Sequence, residues 1–431
     1  MVEQMKPSGI DWIGDIPQSW LIGRVKNFYK ILTGFTPDTS NPEYYDDDLG
    51  YDWITIADID NAKYITETKS KISQKYLQEK HPIITPKGSL LYSFKLSVGK
   101  VAFAGKDIYT NEAIASFVED KNVSLKFLYY SSTLIIENAN INIYGAKIMN
   151  QELIGNASIV FPTLEEQRLI ADFLDKQCGK IDEIIRDLEK QIETLQKYKK
   201  SLILETVTKG LNKNVTMKSS GIDWIGDIPS NWEVSKAKYS TTFINGYAFD
   251  SADLQPSGKY PVVRIGDIKE CGIDIENGLF VNENFGLQQY AIKKGDILLA
   301  MSGATVGKVG YVDIDDEAYI NQRVGIIRLK NSRFLFYVLQ TDSFMEHIFL
   351  SALGSAQPNV SSVDFGKFTI PCPNDKEKNH IINYLDDKCG KIDSILKDKQ
   401  EQLKKIKQHK KSLIYEYVTG KKRVKEAING N

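Results

Sequence analysis

The sequence contains two copies of one unit, and this internal repeat constrains the fold more than any other feature. The segment Ser-Gly-Ile-Asp-Trp-Ile-Gly-Asp-Ile-Pro at 8–17 returns unchanged at 220–229. A second echo links 174–182 to 385–393, which share Leu-Asp followed by Cys-Gly-Lys-Ile-Asp. The unit is about 210 residues long, far longer than a solenoid repeat. Two such units can be related by a pseudo-twofold axis, a symmetry that many readers of duplex DNA match to their site.

The bulk composition is that of an ordinary folded protein. A chain of 431 residues, 42% hydrophobic and 26% charged, suits two to four domains and excludes wholesale disorder. No apolar run approaches the roughly 18 residues that span a bilayer, and the N-terminus lacks the apolar stretch of a signal peptide, so we expect a cytoplasmic protein. The cysteines form no Cys-x-x-Cys pair, and the repeat-related Cys178 and Cys389 suit small apolar positions on helices.

The charge balance argues against a free-standing DNA-binding protein of the usual basic kind. The net charge is −1 and the isoelectric point is about 6.5. The charges are nevertheless unevenly placed, with an acidic stretch over 46–60 and a basic tail over 404–425. Any contact with DNA must therefore depend on local patches, or on partners that supply most of the phosphate contacts.

Two segments, 166–207 and 377–418, have the pattern of long coiled-coil helices. In the first, apolar residues recur every seven positions in two rows, and neither segment contains proline. The second copy keeps both rows except at Lys399. A seam this narrow needs one partner helix, and we expect antiparallel packing of the two copies. The rows of the first copy are Leu174, Ile181, Leu188, Leu195 and Leu202, and Cys178, Ile185, Ile192 and Lys199.

The regions 21–161 and 233–373 are predicted to be α+β globular domains. Short apolar runs alternate with Gly, Asn and Asp, which is typical of short strands and turns. The two regions differ in sequence but share landmarks in the same order. Residues 87–91 parallel 294–298, 98–101 parallel 306–309, and 109–111 parallel 319–321.

With these features the chain resembles the specificity (S) subunits of type I restriction-modification systems over essentially its whole length. The resemblance is carried by the two-copy layout, the Gly-Ile-Asp-Trp-Ile-Gly-Asp-Ile-Pro opening of each half, the helix entry at 162–167 and the lysine-rich helix end at 195–202. The second half departs at its helix entry, 371–378, which lacks the equivalents of Leu164 and Gln167.

The resemblance implies a target recognition domain at 1–165, a first conserved spacer helix at 166–210, a second recognition domain at 211–375 and a second spacer helix at 376–425. It implies an α+β fold with a pseudo-twofold, in which two antiparallel helices separate the domains and set the spacer of a bipartite, asymmetric DNA site. The subunit itself would be non-catalytic. Its partners would be double-stranded DNA, two methyltransferase subunits and motor-nuclease subunits, which would use S-adenosylmethionine, ATP and Mg²⁺.

The residues independently favour unlike half-sites. Segments identical between the halves cannot read different bases, so they are expected to serve as framework or partner surface. Segments that differ are expected to read sequence. The DNA site would then be non-palindromic.

No catalytic or metal site is predicted. The Asp/Asn-Pro-Pro-aromatic loop of amino-methyltransferases is missing, and 41–44 only approximates it. The segment 303–308 resembles a phosphate-binding loop but is one residue short, so a hairpin between two strands is expected instead. His81, His347, His380 and His409 lack metal-ligand spacing.

Candidate DNA contacts lie at polar tips of the two domains, because base reading needs side chains that form paired hydrogen bonds to base edges. Such residues are also common at any hairpin tip, so structural roles remain open. The candidates in the first domain are Ser93, Lys95, Ser97, Lys100, Tyr144 and Lys147. Those in the second are Ser302, Thr305, Lys308, Ser355, Gln357 and Asn359.

Trp12 and Trp224, in the identical segments, are the candidates for partner binding, with core packing as the alternative. Three other interpretations of the chain stay open. The first is a coiled-coil interaction scaffold that never contacts DNA. The second is a self-contained methyltransferase, which the missing loops disfavour. The third is helix pairing between two chains.

Overall fold

The structure, a computed structural model, describes residues 4–46, 48–59, 62–95, 97–119, 123–141, 147–269, 272–282, 286–352 and 359–424. The chain divides into two compact units. The first contains Met1–Asp187 and Gln402–Asn431, and the second contains Leu188–Glu401. Both divisions fall inside the long helices, because the two halves of each helix pack with different units. No helix in the described part of the chain is long and apolar enough to cross a membrane.

The first unit is built on a five-stranded sheet in the described residues. Four strands are antiparallel and a short fifth strand is parallel at one edge, in the order Lys30–Thr33, Ile114–Val118, Leu90–Ser93, Val101–Ala104 and Tyr64–Ile65. A three-stranded sheet orders Tyr109–Thr110, Tyr51–Ile54 and Lys71–Ile72. Three strand pairs complete the unit: Met5–Pro7 with Asp15–Pro17, Leu21–Arg24 with Ser158–Phe161, and Asn140–Ile141 with Lys147–Ile148.

The second unit repeats this plan with one edge strand fewer in its main sheet, as far as the structure describes it. That sheet is antiparallel, in the order Thr242–Asn245, Val324–Arg328, Ile297–Ala300 and Val309–Tyr311. The smaller sheet orders Leu279–Val281, Tyr260–Val263 and Tyr319–Ile320. The strand pairs are Met217–Ser219 with Asp227–Pro229, Glu233–Lys236 with Thr369–Cys372, and Ile268–Lys269 with Gly272–Ile273.

Short helices cover these sheets, and polar side chains cap several of them. Ser124 accepts a hydrogen bond from the backbone of Phe127, and Ser361 accepts one from Asp364. The short α-helices are Gln74–Lys80, Leu125–Ser131, Gln151–Asn156, Arg333–Val338, Asp342–Ala352 and Ser362–Lys367. The 3-10 segments are Val25–Asn27, Pro42–Tyr44, Ser132–Asn138, Ala237–Tyr239, Ile265–Asp267, Gln288–Tyr290 and Gly303–Thr305.

Each unit has a core in which a fully buried tryptophan, Trp20 or Trp232, packs with apolar residues of both long helices. In the first unit these include Leu174 at the start of one helix and Val418 at the end of the other. In the second unit, Leu385 and Val207 have the corresponding places. The core therefore joins the globular part of each unit to a pair of helix segments.

The long helices are Leu164–Lys209 and Asp375–Val418. Within each unit their segments run antiparallel, since Phe173 contacts Tyr417 while Asp182 binds Lys410. This confirms the predicted α+β fold with long coiled-coil helices. A capping box formed by Thr163 and Glu166 begins the first helix, and the side chain of Asn374 caps the second by accepting from the N–H of Glu377.

Both long helices end at a glycine in the left-handed region, Gly210 (φ 70°) and Gly420 (φ 75°). Each glycine lies against the buried tryptophan of its unit, where a Cβ would approach the ring. The second helix thus ends at Val418, as the heptad pattern over 377–418 predicts and short of the 425 that the resemblance implies, because the chain turns over Trp20 at this point.

Candidate nucleic-acid interface

The candidate residues of the first unit surround the hairpin made by Leu90–Ser93 and Val101–Ala104. Ser93 is fully buried, and its hydroxyl donates to the carbonyl of Ser97 and accepts from the backbone N–H of Lys100 at 3.0 Å. Ser93 therefore shapes the loop from inside. The side chains of Lys95, Ser97 and Lys100 are exposed on the loop.

The second unit has the same hairpin, made by Ile297–Ala300 and Val309–Tyr311, as predicted for the glycine-rich segment. Lys308 is half-buried at the position of Lys100, one residue after a glycine with positive φ in each unit. The hydroxyl oxygens of Ser302 and Thr305 are buried and have no hydrogen-bond partner among the described residues. Ser302 forms a β-bridge with Asn359, whose side chain is exposed.

Four further candidates lie away from these two loops or outside the described residues. Lys147 is exposed on a separate hairpin and pairs with Glu137 at 3.1 Å. Tyr144, Ser355 and Gln357 lie outside the residues that the structure describes.

A turn lies beside each hairpin, and each begins at the asparagine that ends the shared landmark 109–111 or 319–321. The Oδ1 atom of Asn111 accepts from the N–H of Ala113 at 3.0 Å, and that of Asn321 accepts from the N–H of Arg323 at 3.3 Å. Each turn is bonded to the hairpin: Phe94 N–H donates to the Ala113 carbonyl, and Met301 N–H donates to that of Arg323. In the second unit, the turn, the hairpin loop and Asn359 are thus brought to one place.

A tyrosine–aspartate contact fastens the globular part of each unit to its long helix. The Tyr130 hydroxyl donates to Asp175 at 2.5 Å, and Lys63 pairs with the same oxygen at 2.5 Å. Burial, followed by the hydrogen bond to Asp175, raises the pKa of Tyr130 well above its usual value. In the sequence, Asp175 belongs to the repeated Leu-Asp pair, which indicates the repeat but not this contact.

The second unit makes the same contact with a different cation. The Tyr337 hydroxyl donates to Asp386 at 2.5 Å, and Arg333 Nε donates to the same oxygen at 2.9 Å. Burial, followed by the hydrogen bond to Asp386, raises the pKa of Tyr337 well above its usual value. Both aspartates therefore act as acceptors that hold a neutral phenol.

The two candidate tryptophans for partner binding are each half-buried. The Trp12 carbonyl accepts from the Tyr415 hydroxyl at 2.5 Å, so this segment is tied to the end of the second long helix. Trp224 stacks on Phe368, with ring centroids 5.2 Å apart, and lies between surface depressions of about 420 and 460 Å³. Part of each ring is therefore packed inside its unit, and part is exposed to solvent.

At the entry to the first long helix, Gln167 makes contacts that its counterpart in the second half does not make. Gln167 is buried, and it donates to the Pro162 carbonyl at 3.0 Å while accepting from the Ser124 N–H at 2.9 Å. Lys378 has the equivalent place in the second unit and instead pairs with Asp375 at 3.6 Å. Among the described residues, no group of three or more His, Cys, Asp or Glu side chains is arranged to hold a metal ion.

Comparison with known proteins gives a consistent family assignment. The type I restriction modification DNA specificity domain matches twice, over residues 17–194 and 229–405. The chain is 27% identical over 423 residues to the MjaVIII specificity subunit of Methanocaldococcus jannaschii, covering 95% of this chain and 94% of that protein. It is 21% identical over 440 residues to the EcoBI specificity subunit of Escherichia coli, covering 96% and 88%.

One solved structure has the same fold. A chain from a study of complex assembly and conformational transition of a type I restriction-modification system matches with a TM-score of 0.67 at 15% identity, covering 94% of this chain and 98% of that one. Because the specificity domain matches both copies of the repeat, the chain belongs to the type I restriction-modification DNA specificity family.

Proposed function

We propose that this chain is the DNA-reading subunit of a type I restriction-modification complex, and that each unit reads one half of a bipartite, asymmetric site. The observation that carries the proposal is the pair of hairpins. Their backbones correspond strand for strand, yet the loop of the first presents Lys95 and Ser97 while that of the second contains Ser302 and Thr305. Corresponding strands that carry loops with different polar side chains suit readers of two different base sequences.

The lysines at the hairpins would position the duplex. Lys100 and Lys308 follow the loop glycines in equivalent places, and neither has an ion-pair partner among the described residues. A lysine here can neutralise a phosphate without specifying a base. Since the whole chain has a net charge of −1, we propose that partner subunits supply the remaining phosphate contacts.

The identical segments are proposed to bind methyltransferase subunits, one on each unit. Their isoleucines and prolines are largely explained by packing, but Asp11 and Asp223 are exposed and make no side-chain hydrogen bond in the described part of the chain. The exposed parts of Trp12 and Trp224 lie beside them. Identical exposed residues on two otherwise divergent units suit one kind of partner bound twice.

The chemistry is assigned to the partners. We propose that this cytoplasmic subunit is non-catalytic, that the methyltransferase subunits use S-adenosylmethionine to methylate adenine, and that motor-nuclease subunits use ATP and Mg²⁺. The long helices would set the spacing between the half-sites.

The test is a methyladenine map of source-cell DNA with and without the gene for this chain. We expect one split motif with two unlike halves, whose methylation disappears on deletion. An unchanged map would contradict the proposal.

Charge reversal separates DNA reading from the scaffold alternative. Lys100→Glu and Lys308→Glu are expected to reduce methylation of the motif strongly, since each places a carboxylate beside the phosphates. Lys87→Glu and Lys330→Glu are the matched controls, because these exposed lysines lie before or after strands of the same sheets. Full methylation by all four variants would favour a scaffold that does not contact DNA.

A further inference from the structure

The two asparagine turns share the same side-chain hydrogen bond but differ in the side chains that follow the asparagine. Asn111 and Asn321 make the same side-chain hydrogen bond to the N–H two residues on, which fixes the turn. Gly34 and Gly246 press against the turns, and a Cβ on either would collide with the carbonyl of Thr110 or Asn321. The backbone of the turn is therefore closely packed in both units.

The two residues after the asparagine differ in charge and exposure. In the first unit they are Glu112, which pairs with Lys95 at 3.6 Å, and Ala113, which is buried. In the second unit they are Gln322 and Arg323, both exposed. Within the described residues, neither the Gln322 amide nor the Arg323 guanidinium has a hydrogen-bond or ion-pair partner.

These side chains belong to the same surface as the candidate hairpin loops. The Arg323 carbonyl accepts from the Met301 N–H at 2.9 Å, and the Met301 carbonyl accepts from the Val360 N–H at 2.9 Å. Ser302 and Asn359 are thereby held beside the turn. An exposed arginine without a partner among the described residues, on a turn held by hydrogen bonds, is suited to forming paired hydrogen bonds with a base edge.

We propose that Arg323 is a specificity determinant that reads a guanine in the half-site bound by the second unit, with Gln322 contacting a neighbouring base. Arginine binds the O6 and N7 atoms of guanine through two parallel hydrogen bonds, and glutamine binds adenine in the same way. In the first unit the position of Arg323 is taken by the buried Ala113, which has no polar side chain to offer a base. The same turn would thus give the two units different base preferences.

The inference rests on the proposed function, and the experiment distinguishes the two. The variants Arg323→Ala, Arg323→Lys and Lys330→Ala are each produced in the source cell with the native partner subunits, and the methyladenine motif is mapped. Lys330 is the matched control because it is an exposed cation beyond the far end of the strand Val324–Arg328.

We expect Arg323→Ala to lose discrimination at one guanine of one half-site, by roughly 10- to 100-fold in relative methylation of substituted sites. The other half-site and the spacer should stay unchanged. Arg323→Lys should also relax this position, since lysine keeps the charge but lacks the planar fork. Lys330→Ala should leave the motif intact.

Three results would overturn the assignment. An unchanged motif in Arg323→Ala would show that the side chain reads no base. Weaker methylation at all sites, restored by lysine, would indicate a phosphate contact. If the wild-type chain directs a split motif in either case, the proposed function stands while this inference fails. If the wild-type chain directs no motif, both fail.

Discussion

Lys199 and Asp393 form an ion pair between the two long helices in the second unit, with Nζ 2.5 Å from Oδ1 and 2.7 Å from Oδ2. The equivalent residues with the helices exchanged, Lys410 and Asp182, form the same pair in the first unit at 2.6 and 2.8 Å. Lys199 belongs to a heptad row, so its charge would otherwise face an apolar seam. Each unit therefore contains the same ion pair between its two antiparallel helix segments.

A double-mutant cycle of Lys199→Ala and Asp393→Ala should reveal coupling. Because the side chains are 17% and 32% exposed, we expect a modest coupling of about 0.5–1 kcal/mol in the free energy of unfolding. The measurement is denaturant unfolding of the wild-type chain, both single variants and the double variant. Strictly additive effects would contradict an energetic role for the pair.

Tyr337→Phe and Tyr130→Phe should each destabilise the unit that contains them. Each change removes a hydrogen bond to a carboxylate at a half-buried contact, which we expect to cost about 1–2 kcal/mol. Thermal unfolding checks the prediction. Tyr239→Phe is the control, since the Tyr239 side chain is 74% exposed, and it should have no measurable effect. Equal melting temperatures for all three variants would refute the role assigned to Asp175 and Asp386.

Gly420→Ala should destabilise the chain more than Gly210→Ala. Both glycines have positive φ, so an alanine costs about 1 kcal/mol in backbone strain at either position. At Gly420 the new Cβ would also lie 2.8 Å from Pro17 Cγ, whereas at Gly210 its nearest neighbour is Trp232 Cζ2 at 3.2 Å. The measurement is the melting temperature of each variant. A lower melting temperature for Gly210→Ala than for Gly420→Ala would contradict the prediction, since it would mean that Trp232 moves aside less easily than Pro17.

The thiols of Cys178 and Cys389 should resist alkylation in the folded chain. Burial raises the pKa of each to about 11, so both are almost fully protonated at pH 8, where the thiolate is the reactive form. Iodoacetamide labelling followed by mass spectrometry should modify them only after unfolding. Rapid labelling of the native chain would contradict the burial.

The raised pKa of these two thiols also makes the stability of the folded chain depend on pH. A raised pKa means that the folded chain holds these protons more tightly than the unfolded chain, in which the thiols titrate near 9. Their contribution to stability is complete below pH 9 and is lost as the pH rises through 11. Replacing both cysteines by alanine should remove this part of the pH dependence, at a cost in packing.

The sequence was sufficient to predict the two copies, the long helices and the hairpin between Ile297–Ala300 and Val309–Tyr311. The reason is that heptad rows and paired glycine landmarks are local patterns that recur. The predicted segment 377–418 ends where the second helix ends, but the packing of Gly420 against Trp20 joins residues far apart in the chain and could not be predicted.

The site could be predicted only in outline. A hydroxyl on a strand end such as Ser93 has the same local sequence pattern whether it faces solvent or the loop interior, and only the structure shows that it bonds inward. Gln322 and Arg323 follow a landmark asparagine, but only the structure shows that their turn makes the same hydrogen bond as the turn at Asn111. The Tyr337–Asp386 contact joins residues distant in sequence, so no spacing rule could reveal it.

We propose that each unit independently specifies one half-site. Each unit's variable region enters and leaves through a pair of antiparallel strands, Leu21–Arg24 with Ser158–Phe161 and Glu233–Lys236 with Thr369–Cys372. A chimaera that replaces 25–157 by 237–368 therefore carries the second reader twice. Methyladenine mapping of cells producing this chimaera with the native partners should show a motif with two copies of the second half-site and no trace of the first. Retention of the original first half-site would contradict the claim.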